Sequence, residues 1–94
     1  MTDRFIALVP AYKPSMLLID MLAELKENGI KAVVVNDGSG NEFAEVFEKA
    51  AEFAPVIAHE VNMGKGRALK TGYTYIKEHF PEDAVIVTMD SDGQ

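Results

Sequence analysis

The sequence contains no cysteine and has few basic residues for its length. Without cysteine it cannot form a disulfide framework or a thiolate metal site, and this is compatible with the cytoplasm, where we expect the protein to be. Nine Lys and Arg residues stand against fifteen Asp and Glu residues, giving a net charge of −6. This balance argues against a nucleic-acid surface, because such surfaces neutralise phosphates with an excess of cations. A small, focused phosphate site is still compatible with it.

Long hydrophobic runs are also absent. No apolar stretch approaches the roughly 20 residues of a transmembrane helix, and the first residues do not resemble a secretory signal. Ninety-four residues allow one domain with a single core, which is below the usual size of a complete two-substrate enzyme.

Four apolar segments alternate with three amphipathic segments along the chain. Short apolar runs typical of strands covered on both faces occur at residues 5–9, 31–36, 55–59 and 84–89. Apolar residues recur at helical spacing between these runs, at residues 16–28, 43–50 and 69–80. The alternation predicts an α/β sandwich with a mostly parallel sheet and right-handed crossovers.

Several residues predict where these elements end or begin. Pro10 closes the first strand, and Gly29 is expected to end the first helix. Ser15 is a candidate N-cap for that helix. Ser39 and Glu42 have the spacing of a capping box at the start of the second helix.

Polar or glycine-rich loops follow all four predicted strands. Because the carboxyl ends of parallel strands lie at one edge of a sheet, residues distant in sequence should meet there. These residues are Tyr12, Asp37, residues 62–66, Asp90 and Asp92. Their convergence predicts a ligand site.

The loop before the third helix combines Gly64 and Gly66 with Lys65 and Arg67. Glycines let a ligand approach the backbone, and the N–H groups at a helix start attract anions, so the loop suits a diphosphate. It is not a P-loop, since no Ser or Thr follows Lys65, and it lacks the three glycines of the dinucleotide fingerprint. A plain glycine turn is the alternative.

Asp37 follows the second strand. Its carboxylate can accept hydrogen bonds from a ring N–H or a ribose hydroxyl, as acids after strands of nucleotide-binding sheets do. An Asx turn or a helix cap is an equally good interpretation.

Asp90 and Asp92 follow the fourth strand and are separated by one residue. They offer two hard oxygen ligands to Mg²⁺ or Mn²⁺, which would bridge phosphate oxygens. An acid/base pair of the glycosidase type suits them less, because those carboxylates face each other across a sugar. A simple Asp-Ser-Asp-Gly turn is the alternative.

Tyr12 and Lys13 could stack on a base or touch a phosphate, although simple surface exposure is an alternative for both. No metal-ligand spacing joins His59 and His79, which we interpret as structural or surface residues.

Together the four loops resemble, in order and spacing, the nucleotide-sugar-binding half of family 2 inverting glycosyltransferases. The ending is similar to the branch that includes dolichyl-phosphate mannose and polyprenyl-phosphate glucose synthases. The motifs that carry the resemblance are Val9-Pro10-Ala11-Tyr12, Val34-Val35-Asn36-Asp37-Gly38-Ser39, Asn62-Met63-Gly64-Lys65-Gly66-Arg67-Ala68 and Asp90-Ser91-Asp92-Gly93-Gln94.

The resemblance implies a Rossmann-like three-layer sandwich with strand order 3-2-1-4, part of the GT-A fold. It implies that the donor is a UDP- or GDP-sugar, and that an acceptor attacks the anomeric carbon with inversion and loss of a nucleoside diphosphate. Asp90 and Asp92 match the Asp-x-Asp motif, which in such enzymes holds the divalent cation and the sugar diphosphate. The residues expected near the nucleotide are Pro10, Ala11 and Tyr12 at the base and ribose, Asp37 at the base, and Asn62, Gly64, Lys65, Gly66, Arg67 and Asp90.

Enzymes of this family continue well past the Asp-x-Asp motif, and the later part supplies the acceptor site and the catalytic base. No residue in this sequence is nominated as a catalytic base. We therefore expect residues 1–94 to be a donor-binding subdomain that binds nucleotide but does not transfer sugar alone. Residues 84–89 would form an apolar sheet edge, which predicts self-association.

Two other functions compete with this one. A nucleotidyltransferase also uses a similar sheet, carboxylates and metal, but it usually carries a glycine-rich loop after the first strand, where this chain has residues 10–14, Pro-Ala-Tyr-Lys-Pro. A non-catalytic interaction module could keep the same fold. Fold alone does not choose among the three.

Overall fold

The computed structural model describes residues 4–90, which form a parallel four-stranded sheet with helices on both faces. The strands are β1 (Phe5–Ala11), β2 (Lys31–Asp37), β3 (Val56–His59) and β4 (Val85–Thr88), and the helices are α1 (Leu17–Glu27), α2 (Ala44–Ala50) and α3 (Lys65–His79). The strand order β3-β2-β1-β4 confirms the predicted α/β fold and topology. No helix within residues 4–90 has the length and apolar character needed to cross a membrane.

The central strand β1 contributes to two cores, one on each face of the sheet. Ala7, Val9 and Ala11 pack with residues of α1 and α2, whereas Ile6 and Leu8 pack with residues of α3. Successive side chains of a strand point to opposite faces, so a strand covered on both sides needs a continuous apolar run. This explains the continuous apolar runs in β1 and at residues 32–35 of β2.

The end of α1 follows the prediction. Gly29 has a φ of 72°, and the N–H of Ile30 donates to the carbonyl of Leu25 at 2.9 Å, which closes a Schellman motif. At the other end the N-cap residue is Met16 rather than Ser15, but the Ser15 Oγ accepts a hydrogen bond from the N–H of Leu17 at 3.2 Å.

The capping box predicted for Ser39 and Glu42 is wrong. A 3₁₀ turn (Asn41–Phe43) comes first, α2 begins only at Ala44, and neither helical segment has a side-chain cap. Ser39 is buried, and its Oγ accepts a hydrogen bond from the N–H of Lys13 at 2.9 Å. Its hydroxyl therefore connects two loops at the sheet edge instead of starting a helix.

Pro10 does not close β1 as predicted, because the strand continues through it to Ala11. The carbonyl of Leu8 accepts from the N–H of Met89 at 3.0 Å, so the backbone groups of alternate residues, including Pro10, face β4. Proline has no N–H to donate on that side, while pairing with β2 continues undisturbed. The β1–β4 ladder consequently stops at Thr88, and Asp90 lies beyond it.

Helix α3 lies close to the sheet at Gly72. This residue is buried, and a Cβ atom added to it would overlap the side chain of Leu8 on β1. The apolar face predicted for α3 is confirmed at Gly72 and Ile76, but Tyr73 is exposed. The close contact sets the distance between the sheet and α3, whose first turn lies near the carboxyl ends of the strands.

The close approach predicts that Gly72→Ala lowers the free energy of unfolding by about 1–3 kcal/mol, the usual cost of overpacking. Urea denaturation measures the change. Gly66→Ala is the matched control on the same helix, since a Cβ there meets nothing within 4 Å. That variant should be neutral or gain up to about 1 kcal/mol from helix propensity. Equal effects of the two substitutions would contradict the close packing.

Candidate functional site

A cavity of about 320 Å³ opens at the carboxyl ends of the strands. The loops after β1, β2, β3 and β4 all contribute to its wall, as the parallel topology predicts. Its lining residues are Pro10, Ala11, Tyr12, Asp37, Asn62, Lys65, Ala68 and Asp90. The predicted residues Gly64, Gly66 and Arg67 are not among them, and Asp92 lies outside the described residues. Ala68 also lines the cavity, although its side chain carries no chemical signal that would predict this.

Asp37 is almost completely buried, with 3% of its surface exposed. Its Oδ1 accepts from the N–H of Met63 at 2.9 Å and lies 2.8 Å from Nδ1 of His59. Its Oδ2 accepts from the N–H of Gly64 at 2.9 Å. The carboxylate therefore fixes the loop before α3 and lines the cavity at the same time.

The local turn beside Asp37 is made by its neighbour. Oδ1 of Asn36 accepts from the N–H of Ser39, three residues further on, at 3.1 Å. The Asx turn and the helix cap considered for Asp37 are therefore not formed, because its oxygens reach across to a different loop.

His59 links β3 to α3. Its Nε2 lies 2.8 Å from Oγ1 of Thr71, and its Nδ1 contacts Asp37. The structural interpretation of His59 is thus correct, but the sequence did not reveal its partners. They lie 12 and 22 residues away, in elements that only the folded sheet brings together.

The pKa of Asp37 is lowered in the folded protein. Burial by itself raises the pKa, but the hydrogen bonds from His59 and from the N–H groups of Met63 and Gly64 stabilise the ionised form and outweigh it. The carboxylate is therefore charged at neutral pH and acts only as a hydrogen-bond acceptor.

Gly38 lets the loops approach each other this closely, and Gly64 supplies a positive φ at the start of α3. Gly38 has a φ of 68°, and a Cβ atom there would overlap the backbone of Val61 and Asn62. Gly64, with a φ of 94°, directly precedes α3. The side-chain amide of Asn62 completes the contact by donating to the Asp37 carbonyl at 3.3 Å.

The wall of the cavity also carries charge that is open to solvent. Nζ of Lys65 lies 3.1 Å from Oδ1 of Asp90, and their side chains are 65% and 45% exposed. Such an exposed ion pair contributes little to stability and exchanges easily for other partners. Asp90 is thus an accessible carboxylate beside a cation.

Within residues 4–90, no group of three or more His, Asp or Glu side chains is arranged to hold a metal ion. The chemistry of Asp90 nevertheless fits Mg²⁺ or Mn²⁺, because these ions are commonly held by one or two carboxylates together with phosphate oxygens. In this structure the ammonium group of Lys65 lies beside the carboxylate of Asp90.

Tyr12 is about half exposed at the mouth of the cavity. Nζ of Lys13 lies 5.3 Å from the centroid of the tyrosine ring, and the backbone of Lys13, with a φ of 49°, is held by Ser39. The ring thus stands on a fixed loop with one part open to a ligand.

Comparison with known proteins gives matches over almost all of the chain. The family model described as Glycosyl transferase family 2 matches residues 6–94. An uncharacterized protein of Methanocaldococcus jannaschii, MJ1222, is 37% identical over 93 residues, which cover 98% of this chain and 37% of that protein. Another uncharacterized protein of the same organism, MJ0544, is 32% identical over 71 residues, 71% of this chain and 31% of that protein. The matched part of the chain thus spans 37% of the length of one relative and 31% of the other.

The contacts of Asp37 predict that Asp37→Asn lowers the free energy of unfolding at pH 7 by about 1–3 kcal/mol, because an amide N–H₂ would meet backbone donors. The folded pKa is depressed, so the stabilisation by Asp37 is complete above the unfolded pKa of about 3.9 and is lost as the pH falls through the folded value. Urea midpoints of wild type and variant should therefore converge on acidification.

Asp83→Asn is the control for this prediction, because Asp83 is an exposed aspartate whose ion pair with Arg4 is 3.8 Å long. It should change the urea midpoint very little at any pH. If it behaved like Asp37→Asn, the effect would come from the net charge rather than from the buried contacts.

Proposed function

Since the chain belongs to glycosyl transferase family 2, we propose that it binds the nucleoside-diphosphate sugar donor of a glycosyltransferase. The observation that carries this proposal is the single cavity to which all four strand-end loops contribute. Its wall combines an aromatic ring, a buried carboxylate, a lysine and an exposed aspartate, which are groups suited to a base, a diphosphate and a cation.

The base and ribose are assigned to the side of the cavity formed by Pro10, Ala11, Tyr12 and Asp37. The exposed ring of Tyr12 offers a surface for stacking. Asp37, ionised and buried, accepts a hydrogen bond from a ring N–H.

The diphosphate is assigned to the start of α3. This helix has fifteen residues, and its first turn carries Lys65 and Arg67. A Cβ atom at Gly64 or Gly66 would meet nothing within 4 Å, so the backbone there is open to an anion. Lys65 lines the cavity, and it can turn from Asp90 to a phosphate oxygen because both side chains are exposed.

The divalent cation, Mg²⁺ or Mn²⁺, is assigned to Asp90 and Asp92. When bound, it would neutralise the charge that develops on the departing diphosphate. Asp90 supplies an oxygen at the cavity wall, where its Oδ1 contacts Lys65 in this structure.

Sugar transfer with inversion by the whole protein is a further proposal. It needs a general base near the acceptor, and within residues 4–90 the carboxylate of Asp37 already serves structural donors while Asp90 is assigned to the cation. We therefore propose that this chain supplies donor binding and that the acceptor site and base are contributed from outside it.

Self-association through residues 84–89 stays a prediction. It is compatible with β4, which pairs with β1 as the last strand of the described sheet and exposes Val85 and Val87. A strictly monomeric sedimentation profile at high protein concentration would contradict it.

Titration calorimetry with UDP and with GDP, each with and without Mn²⁺, tests donor binding. We expect metal-dependent binding of at least one nucleotide, and at least about a tenfold loss of affinity, or 1.4 kcal/mol, in Asp90→Ala/Asp92→Ala. Nucleotide at about a hundred times its dissociation constant should also raise the free energy of unfolding by roughly 2.7 kcal/mol.

Asp83→Ala is the control, since it removes an exposed carboxylate elsewhere on the chain and should bind like wild type. Binding of neither nucleotide by the wild-type chain would overturn the proposed function. Binding that ignores both Mn²⁺ and the double substitution would overturn the assignment of the cation to Asp90 and Asp92.

A further inference from the structure

The carboxylate of Asp37 has little acceptor capacity left for a ligand. A carboxylate offers about four lone-pair positions, two on each oxygen. Among the described residues, His59 and the N–H of Met63 approach Oδ1 at 2.8 and 2.9 Å, and the N–H of Gly64 approaches Oδ2 at 2.9 Å. These contacts fill both positions on Oδ1 and leave one position on Oδ2.

His59 donates to Oδ1 in either of its protonation states. The ionised carboxylate can only accept, so Nδ1 of His59 carries the hydrogen of this contact. Nε2 then accepts from the hydroxyl of Thr71 when the ring is neutral, or donates to it when the ring is charged. The side chains of His59 and Asp37 are only 11% and 4% exposed, so water cannot readily replace this contact.

We propose that His59 is a positioning residue that sets base specificity by leaving Asp37 with one acceptor position for the base. A carboxylate in this state suits a base whose binding edge presents a single N–H, as uracil does between its two carbonyls. Guanine presents two adjacent donors, N1–H and the N2 amino group, which need both carboxylate oxygens. This inference rests on the proposed function, because it assumes that the base lies at Asp37.

The second donor of guanine would point at an oxygen that already accepts two hydrogen bonds. It would be left without a partner on a largely desolvated wall, which weakens binding. We therefore expect UDP to bind at least about tenfold more tightly than GDP, which corresponds to about 1.4 kcal/mol.

Inosine diphosphate provides a test on the wild-type chain. It keeps the ring system and N1–H of guanine and lacks only the N2 amino group. Calorimetry with Mn²⁺ should give the affinity order UDP above GDP and inosine diphosphate above GDP. If GDP bound more tightly than inosine diphosphate, Asp37 would be accepting two donors, and the inference would be overturned.

Substitution of His59 tests its role directly. His59→Leu opens one acceptor position on Oδ1, so the ratio of UDP affinity to GDP affinity should fall by about tenfold. His59→Asn places an amide Nδ2 in the position of the ring Nδ1, keeps the donor to Asp37 and should preserve the ratio. Thr71→Val removes only the hydroxyl next to Nε2 and should also preserve it.

Thermal unfolding of each variant shows whether it is folded at the titration temperature. If His59→Leu is unfolded there, the comparison of inosine diphosphate with GDP on the wild-type chain decides whether Asp37 accepts one donor or two. An unchanged ratio in folded His59→Leu overturns this inference and leaves donor binding intact. Failure of every nucleotide to bind the wild-type chain overturns the proposed function, and this inference with it.

Discussion

The loops at the carboxyl ends of the strands depend on one buried carboxylate. Asp37 stands at the end of β2, is almost inaccessible to solvent, and receives the N–H groups of Met63 and Gly64 together with His59. A buried charge is tolerated only when its oxygens are hydrogen-bonded. The carboxylate therefore needs the N–H groups of the loop before α3, and that loop needs the carboxylate to keep its conformation. Lys65 follows Gly64 directly in the sequence, so its position relative to Asp90 depends on the same contacts of Asp37.

The residues that line the cavity differ in burial. Ala11, Asp37 and Ala68 are buried, and Asp37 is held by His59, which does not itself line the cavity. The side chains of Lys65 and Asp90 are 65% and 45% exposed and are joined by an ion pair that contributes little to stability. A buried, hydrogen-bonded part suits recognition of a rigid ring, and an accessible charged part suits a flexible diphosphate with its counterion.

The sequence was sufficient for the convergence of the loops, because continuous apolar runs separated by amphipathic segments predict a parallel sheet, and the strand order followed from the resemblance to family 2 glycosyltransferases. It was not sufficient for contacts across the loops. Asp37 looked like a turn residue or a ligand-facing acid, and its partners lie in β3 and in the loop before α3. Ser39 had a local partner at capping-box spacing and instead bonds Lys13. Such choices depend on distances between elements, which no local pattern encodes.

Pro10 shows how a group that is missing can shape a site. Had another residue stood there, its N–H could have extended the pairing with β4 by a further step and drawn Met89 and Asp90 into a regular ladder. Because Pro10 has no N–H, β1 and β4 instead separate at their carboxyl ends, and the cavity lies at that point of separation, with Pro10 and Asp90 both in its wall. The opening between β1 and β4 thus begins at a residue whose backbone lacks an N–H, independently of any side chain that reaches a ligand.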